Sequence, residues 1–360
     1  MAGALRKSAH FNPWPSLNRG EGDEGMMSAI ARMAEAAGVP PTRLMTDFAT
    51  LAIGPGRIDF SDYERLRLYD EAFWGQAAAD RRSLIGARRG HELALAVNFR
   101  HDCFALASDQ LAANSYLSAH GLPTVPILAI YRAGLASPGR GLLRTREELR
   151  DFLERRAGTP LIAQPVEGGR VRALFAPNGD ARADIDRLLD EVRDAGETSW
   201  LIQPHLAPHP DAAPGDGQRL APVRLLAVNG EYGPLVLRAY WRLGGRDDIV
   251  ASLDLDSGAV LAVFPAGSPH RAQAAPARFA VPEWPSLKAT AVEAMRLMGQ
   301  FGLIGWDVAP TTEGPVIVAL DPTPDLELHQ LADRRGLIDA WFHDFIADRR
   351  RLAAEHRRFG

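Results

Sequence analysis

The chain has 360 residues, of which 46% are apolar and 24% charged, and its formal net charge is −4. This composition predicts a globular protein of one to three domains and gives no overall attraction to nucleic acid. Cys103 is the single cysteine, and no run of about 18 apolar residues occurs, so we expect neither an internal disulfide nor a membrane span. The N-terminal residues lack the apolar core of a secretion signal, so we expect a cytoplasmic protein.

Residues 1–102 are predicted to form a helical N-terminal region. A helical apolar pattern begins at Asp23, and a second helix is expected over residues 41–53. Ser61-Asp62-Tyr63-Glu64 has the sequence of a capping box, in which the Ser and Glu side chains satisfy free amides at a helix start.

Residues 103–204 alternate short strands and helices, which is typical of a small α/β lobe. A helix is expected to begin after Ser108-Asp109 and to end near Gly121. Thr145-Arg146-Glu147-Glu148 is a second capping box. We expect strands near residues 125–131, 160–166 and 199–205.

Residues 205–346 are predicted to form a larger lobe rich in strands, followed by a basic helix end over residues 347–360. Asn229-Gly230 lies between two apolar runs and predicts a hairpin with a type I′ turn. Residues 303–330 predict another hairpin, whose two strands are joined by a five-residue loop at residues 310–314.

Asp307 interrupts the first strand of this last hairpin, and Asp321 closes the second. Because side chains alternate between the two faces of a strand, both carboxylates are expected to point into one cleft. Paired carboxylates suit a divalent cation bound to phosphate oxygens. The alternative is that Asp307 and Asp321 pair with arginine side chains.

The stretch Ile304-Gly305-Trp306-Asp307-Val308-Ala309, followed by Pro322-Thr323-Pro324-Asp325 and Gln330, resembles the end of the ATP-grasp domain in the sugar-transfer associated ATP-grasp family. The resemblance implies an α+β ATP-grasp fold over about residues 100–345, in which two α/β lobes clasp a nucleotide. It also implies ATP-dependent carboxylate–amine ligation through an acyl phosphate, with ATP and Mg²⁺ as cofactors. The sequence departs from the family at Ala319, which stands where the metal-binding Glu is expected. The implied metal ligands are then Asp307, Asp321 and Asp325.

Two lysines normally neutralise the phosphates in this family, and both are replaced here. Ser108-Asp109-Gln110-Leu111 places Gln110 at the first lysine position, and Gln164-Pro165 before Gly168-Gly169 places Gln164 at the second. Glutamine donates hydrogen bonds but carries no charge. Arg170 is the nearest candidate for a substitute cation, although it is otherwise read as a surface arginine.

The remaining implied nucleotide-site residues lie on strands. Trp200-Leu201-Ile202-Gln203 resembles the hinge that binds adenine through its backbone, although it also fits an ordinary buried strand. Arg224, Arg238 and Arg242 match the family's basic strands. For Arg224 and Arg238 we expect catalytic roles in binding phosphate or substrate; the alternative is structural pairing with Asp307 or Asp321.

Two hypotheses follow from these substitutions. The first is a ligase with weakened or altered catalysis, whose partners are a nucleotide and a small-molecule, sugar or peptide substrate. The second is a degenerate ATP-grasp scaffold that acts as a binding or regulatory protein. The basic residues Arg349, Arg350, Arg351, Arg357 and Arg358 are interpreted as a solvated helix end, with a nucleic-acid or membrane contact as the alternative.

Overall fold

The structure is a computed structural model of the full chain. It describes residues 25–74, 81–132, 141–166, 172–175, 179–196, 198–212, 220–244, 249–265, 273–274 and 279–359. Gly168, Gly169 and Arg170, for which phosphate binding is predicted, lie outside these residues.

The chain divides into two compact units. Among the described residues, one unit lies within residues 105–207, and the other lies within residues 25–104 and 208–359. The helices that precede residue 104 therefore belong to the same unit as the strands that follow residue 208.

Five strands of the first unit form a mixed sheet in the described residues, in the order β2-β1-β5-β3-β4. The capping box predicted at Thr145 is confirmed, since Thr145 and Glu148 exchange side-chain to backbone hydrogen bonds at the start of α8. The apolar sides of α8 and α9 bury leucines such as Leu149 and Leu188 against the sheet residues Leu161 and Ile202. The elements are α7 (Gln110–Ala119), β1 (Ala129–Tyr131), β2 (Leu142–Leu143), α8 (Arg146–Glu154), β3 (Leu161–Pro165), β4 (Arg172–Leu174), α9 (Ala181–Asp194) and β5 (Trp200–Pro204).

The second unit combines helices with a larger sheet. Its N-terminal helices are α1 (Met26–Ala37), α2 (Pro41–Ala52), α3 (Phe60–Arg65), α4 (Glu71–Trp74), α5 (Ala87–Val97) and α6 (Phe104–Ser108), the last of which runs across the unit boundary. The capping box predicted at Ser61 is wrong, because α3 is capped two residues earlier by Asp59, whose carboxylate accepts a hydrogen bond from the Asp62 amide. Later helices are α10 (Trp284–Leu297), α11 (Leu326–Asp333) and α12 (Ala340–Phe359).

The second sheet is antiparallel throughout, and its strands follow the order β10-β9-β8-β7-β6-β11-β12 in the described residues. Leu226, Val228 and Leu303 lie on one face of it and form a core with residues of α5 and α12. The two sheets confirm the predicted α+β class. The strands are β6 (Val223–Gly230), β7 (Gly233–Gly244), β8 (Ile249–Leu253), β9 (Val260–Pro265), β10 (Gln273–Ala274), β11 (Leu303–Thr311) and β12 (Gly314–Asp321).

Both predicted hairpins are confirmed, but their turns differ from the predictions. β11 continues to Thr311 and β12 begins at Gly314, so the connection has two residues rather than five. The Thr311 hydroxyl stabilises this turn by donating to the Gly314 carbonyl and accepting from the Glu313 amide. The turn predicted at Asn229-Gly230 lies at residues 231–232 instead, because the Asn229 side chain is bound to the Phe301 carbonyl.

Candidate functional site

Arg224 and Asp307 lie directly opposite each other on the neighbouring strands β6 and β11. Opposite residues of paired strands point to the same face of the sheet. The Arg224 Nε donates to Asp307 Oδ1 at 2.6 Å, and its Nη2 donates to Oδ2 at 2.8 Å. Arg224 is 5% exposed and Asp307 2%, so this two-point ion pair is withdrawn from solvent.

Asp321, at the end of β12, approaches the same guanidinium. Its Oδ2 lies 3.5 Å from Arg224 Nη1. Asp321 is opposite Gly305 on β11, and a Cβ at Gly305 would lie 2.9 Å from Arg224 Nη1. The missing side chain at Gly305 therefore leaves the space that the guanidinium crosses to reach the second carboxylate. The predicted convergence of Asp307 and Asp321 on one face is observed, with an arginine between them.

Arg242 is a second cation beside Asp307. Its Nη1 lies 3.5 Å from Asp307 Oδ2, and its Nη2 is 3.5 Å from the Tyr240 hydroxyl. Burial by itself raises the pKa of Asp307, but Arg224 and Arg242 outweigh burial and hold the pKa below its ordinary value. Burial likewise lowers the pKa of Arg224, and the Asp307 carboxylate reverses this effect. Both members of the pair are therefore ionised.

Helix α11 covers this group of charges. Asp325 caps the helix by accepting a hydrogen bond from the Glu327 amide at 2.9 Å, and burial raises the pKa of its carboxyl. The His329 ring lies edge-on to Tyr240 with centroids 4.7 Å apart. Burial, together with the nearby arginines, lowers the pKa of His329 well below its ordinary value, so its imidazole is neutral.

Arg238 lies apart from Arg224 and its carboxylates. Its Nε is 2.8 Å from Asp333 Oδ2, and its Nη2 is 3.5 Å from the Gly336 carbonyl oxygen. The alternative prediction that Arg238 pairs with Asp307 or Asp321 is wrong, because Arg238 pairs with Asp333. A β-bulge in the pairing of β6 and β7 sets Arg238 opposite Leu226, two positions along from Arg224 on the same face.

In the first unit, the predicted nucleotide residues Gln164 and Gln203 contact each other. They lie on the paired strands β3 and β5, and Gln164 Nε2 donates to Gln203 Oε1 at 2.7 Å. The Gln203 amide nitrogen in turn lies 3.4 Å from the Val125 carbonyl oxygen. Gln110 is the first residue of α7, directly after its cap Asp109.

The carboxylates as placed do not fit a resident magnesium ion. Both oxygens of Asp307 accept hydrogen bonds from Arg224, and Asp325 is engaged as a helix cap. Within the described ranges, no group of three or more His, Cys, Asp or Glu side chains is arranged to hold a metal. Chemically, the arrangement is a network of two arginines and two aspartates, in which Arg224 and Asp307 form a buried ion pair beside Arg242 and Asp321.

Sequence reasoning did not identify Tyr240, His329 or Asp333 as members of this region. The alternation of β7 gives a signal for Tyr240, since Arg238, Tyr240 and Arg242 occur at every second position and so share a face. No sequence signal indicates that His329 and Asp333 meet them, because that contact depends on how α11 is placed on β7 and β8.

No protein-family model matches the chain, and no curated protein matches it. Among solved structures it is similar to the D-alanine–D-alanine ligase from Coxiella burnetii, with 11% identity, a TM-score of 0.43, and coverage of 71% of this chain and 60% of that chain. It is also similar to the ATP-grasp ligase PsnB complexed with minimal precursor, with 17% identity, a TM-score of 0.40 and coverage of 69% and 62%. A third similar structure is the D-cycloserine synthetase DcsG, with 18% identity, a TM-score of 0.41 and coverage of 73% and 79%.

The match therefore spans about 60% of the first two of these proteins. In the part of the chain that the structure describes, none of the helices is both long and apolar enough to cross a bilayer.

Proposed function

We propose that this chain is an ATP-grasp protein related to ATP-dependent carboxylate–amine ligases, in which ATP turnover is weakened. The observation that carries this proposal is the grouping of Arg224, Asp307 and Asp321 on one face of the adjacent strands β6, β11 and β12. These residues belong to the motifs that resemble the sugar-transfer associated ATP-grasp family, and they occur in the same order.

The reaction class implied by that resemblance has two steps. A substrate carboxylate attacks the γ-phosphorus of ATP, which forms an acyl phosphate and releases ADP. An amine then attacks the acyl carbon, and inorganic phosphate leaves. Arg224 and Arg242 are the residues of the network whose planar forks suit a phosphate or carboxylate.

The substituted lysines support weakened turnover. Two unit charges about 4 Å apart interact by about 4 kcal/mol at an effective dielectric near 20, and Gln110 and Gln164 supply no such charge. Gln164 is, moreover, hydrogen-bonded to Gln203 at 2.7 Å. A triphosphate bound beside these residues therefore loses attraction of several kcal/mol relative to a site with two lysines.

The position where the resemblance implies a metal ligand also supports weakened turnover. Ala319 lies directly opposite Asp307 in the pairing of β11 and β12, and it offers no ligand where the resemblance implies the metal-binding Glu. Arg224 also occupies both oxygens of Asp307, so that carboxylate is not free to bind magnesium.

A second candidate function is a degenerate scaffold that binds a partner and does not consume ATP. The observation that favours it is the burial of the Arg224–Asp307 pair, whose side chains are 5% and 3% exposed. An arginine held this way stabilises the sheet and is not available to a substrate unless the pair opens.

The two candidates are separated by measuring ATP binding calorimetrically and ADP formation in the presence of mixed amino acids and sugars. We expect ATP to bind with a dissociation constant of roughly 0.1 to 1 mM, with slow ADP formation. Absence of both heat and ADP at millimolar ATP would contradict the ligase-related function and leave the scaffold.

A matched pair of variants locates the nucleotide site. Gln164→Lys restores the implied phosphate cation and is expected to tighten ATP binding by about tenfold. This corresponds to about 1.4 kcal/mol, which is less than the roughly 4 kcal/mol of a charge pair about 4 Å apart. Gln300→Lys makes the same charge change at the end of α10, where Gln300 lies near the Met298 sulfur, and is expected to leave the affinity unchanged. Equal effects of the two variants would show that only net charge matters.

A further inference from the structure

A cavity of about 540 Å³ lies between the C-terminal end of α5 and the last turns of α12. It belongs to the second unit but does not involve the Arg224 network. Phe99 and Ala353 give it apolar walls, and the basic residues around it are Arg350, Arg357, His101 and His356. Its volume is in the range of pockets that hold small molecules, about 300 to 1,000 Å³.

The charge around this cavity is of one sign. Of the described residues that line it, none is acidic. Asp102, which follows His101 in the chain, is engaged by Arg100 at 2.8 Å. On α12, the nearby carboxylates Asp348 and Glu355 both pair with Arg351. The acidic groups closest in sequence to the cavity are therefore already bound to arginines that do not line it.

Arg350 and Arg357 are left without such partners. In the ranges that the structure describes, neither makes an ion pair or a side-chain hydrogen bond, and both are exposed. Seven residues apart on a helix, they lie on the same face, about two turns from each other. The helix macrodipole explains a cation at Arg357 in the last turn, but its effect does not extend to Arg350, nine residues before the helix ends at Phe359.

Two aromatic rings, those of Phe99 and His356, line the cavity. The Phe99 ring lies 5.8 Å from the His356 ring and 5.2 Å from the Arg349 guanidinium carbon. Arg349 is buried, and its Nε donates to the Val97 carbonyl, which holds this side of the cavity in place. An aromatic ring placed here can stack or pack edge-on against Phe99 and His356.

We propose that this cavity binds a small molecule that joins a phosphate monoester to an aromatic or heteroaromatic ring. A monoester carries a charge of about −1.5 to −2 at neutral pH, which matches the two unpaired arginines. Arginine forks bind phosphate oxygens in pairs, and the ring contacts Phe99 and His356. A long polyanion needs an extended basic surface, whereas these two arginines lie at a pocket that also has an apolar wall.

The proposal is tested on the full chain with phenyl phosphate as the probe, followed by calorimetry and by ³¹P NMR line broadening. Inorganic phosphate and phenol test the two halves of the ligand separately. We expect saturable binding of phenyl phosphate at roughly 0.01 to 1 mM, at least about tenfold tighter than inorganic phosphate or phenol. No saturation by about 10 mM, or equal binding of phenyl phosphate and inorganic phosphate, would overturn it.

Two double variants of equal charge give the decisive comparison. Arg350→Ala/Arg357→Ala removes the cations of the cavity, and we expect phenyl phosphate affinity to fall by about 10- to 100-fold. Arg132→Ala/Arg358→Ala removes two exposed arginines that do not line the cavity and should change the affinity by less than about twofold. Equal losses in both would indicate attraction by net charge alone and would overturn the site.

Phe99→Leu keeps an apolar wall and removes the ring. We expect it to weaken phenyl phosphate by several-fold while leaving inorganic phosphate unchanged, a pattern that a loss of folding would not produce. Titrations with anionic phospholipid vesicles and with a single-stranded oligonucleotide complete the test. Binding of either without binding of phenyl phosphate would overturn the small-molecule site in favour of a macromolecular surface.

Discussion

Arg224 holds both carboxylate oxygens of Asp307 across the junction of β6 and β11, at 2.6 and 2.8 Å. The same guanidinium lies 3.5 Å from Asp321. The two carboxylates that are predicted to bind a metal ion therefore both lie beside one arginine. Whether these side chains can bind a nucleotide depends on the stability of the Arg224–Asp307 ion pair.

Arg224→Met is expected to destabilise the protein by about 3 to 5 kcal/mol, because it leaves the Asp307 carboxylate buried beside only the more distant Arg242. The measurement is urea unfolding of the full chain at pH 7.

The double variant Arg224→Met/Asp307→Leu should cost less than the single one, since no unpaired charge remains in the sheet. Arg351→Ala is the control, because it breaks surface pairs at 61% side-chain exposure and should cost less than about 1 kcal/mol. A loss no larger for Arg224→Met than for Arg351→Ala would show that the buried pair does not stabilise the fold.

Ala319→Glu, made together with Gln164→Lys, is expected to introduce magnesium-dependent ATP binding. Ala319 is opposite Asp307, so a carboxylate at this position points to the same face and competes with Asp307 for Arg224. A tenfold or larger tightening by Mg²⁺ in this variant, absent from the starting protein, is the expected calorimetric result. Ala259→Glu combined with Gln164→Lys is the control and should show no magnesium dependence.

Asp333 predicts a pH dependence of stability. Burial raises its pKa to about 6 from an ordinary value of 3.8, although Arg238 acts in the opposite direction. Between pH 4 and 6 the folded protein therefore keeps a proton that the unfolded chain releases, so this residue's contribution falls as pH rises, by up to about 3 kcal/mol. Asp333→Asn should match the natural protein near pH 4 and be more stable than it above pH 6.

The comparison is made by urea unfolding at several pH values. Asp102→Asn is the control, because Arg100 lowers the pKa of Asp102 to about 2 from 3.8, so the contribution of this carboxyl changes mainly below pH 4 and does not fall as pH rises. Parallel stability curves for the natural protein and Asp333→Asn would contradict the assignment.

Asn98 is a further determinant of stability. It is fully buried, donates to the carbonyls of Leu303 and Pro322 and accepts from the amides of Gly302 and Leu303. Asn98→Ala leaves these backbone groups unpaired and should cost about 3 kcal/mol or more by thermal or urea unfolding. Asn114→Ala, which removes a partly buried bond to the Val125 carbonyl, should cost only about 1 kcal/mol.

Local patterns in the sequence predict much of the fold. Two apolar runs on either side of a polar turn predict β11 and β12. Thr145 and Glu148 mark the start of α8, because the two residues of a capping box are only three positions apart. The turn predicted at Asn229-Gly230 is wrong, and there a side chain contacts a residue outside the hairpin. Asn229 resembles a turn residue, yet its amide binds the Phe301 carbonyl, and this tertiary contact lets β6 extend through Gly230.

The candidate site was predictable only in part, for a related reason. Strand register brings Arg224, Asp307 and Asp321 together, and the alternation of residues on a strand makes their common face predictable. Which ion pairs form depends on which charged groups are buried together. Helix α11 determines this, because it packs His329 against Tyr240 and places Asp333 beside Arg238. Gln330 illustrates the same limit, because it matches a family motif but binds the Ile85 backbone in the structure.

The most direct test of the central claim is calorimetric titration of the natural protein with ATP, with and without Mg²⁺. If Arg224 holds Asp307 as described, the two dissociation constants should agree within about twofold, in the range of roughly 0.1 to 1 mM. ATP binding that magnesium tightens by tenfold or more, to micromolar affinity, would show that Asp307 and Asp321 still serve a metal ion and would contradict the account.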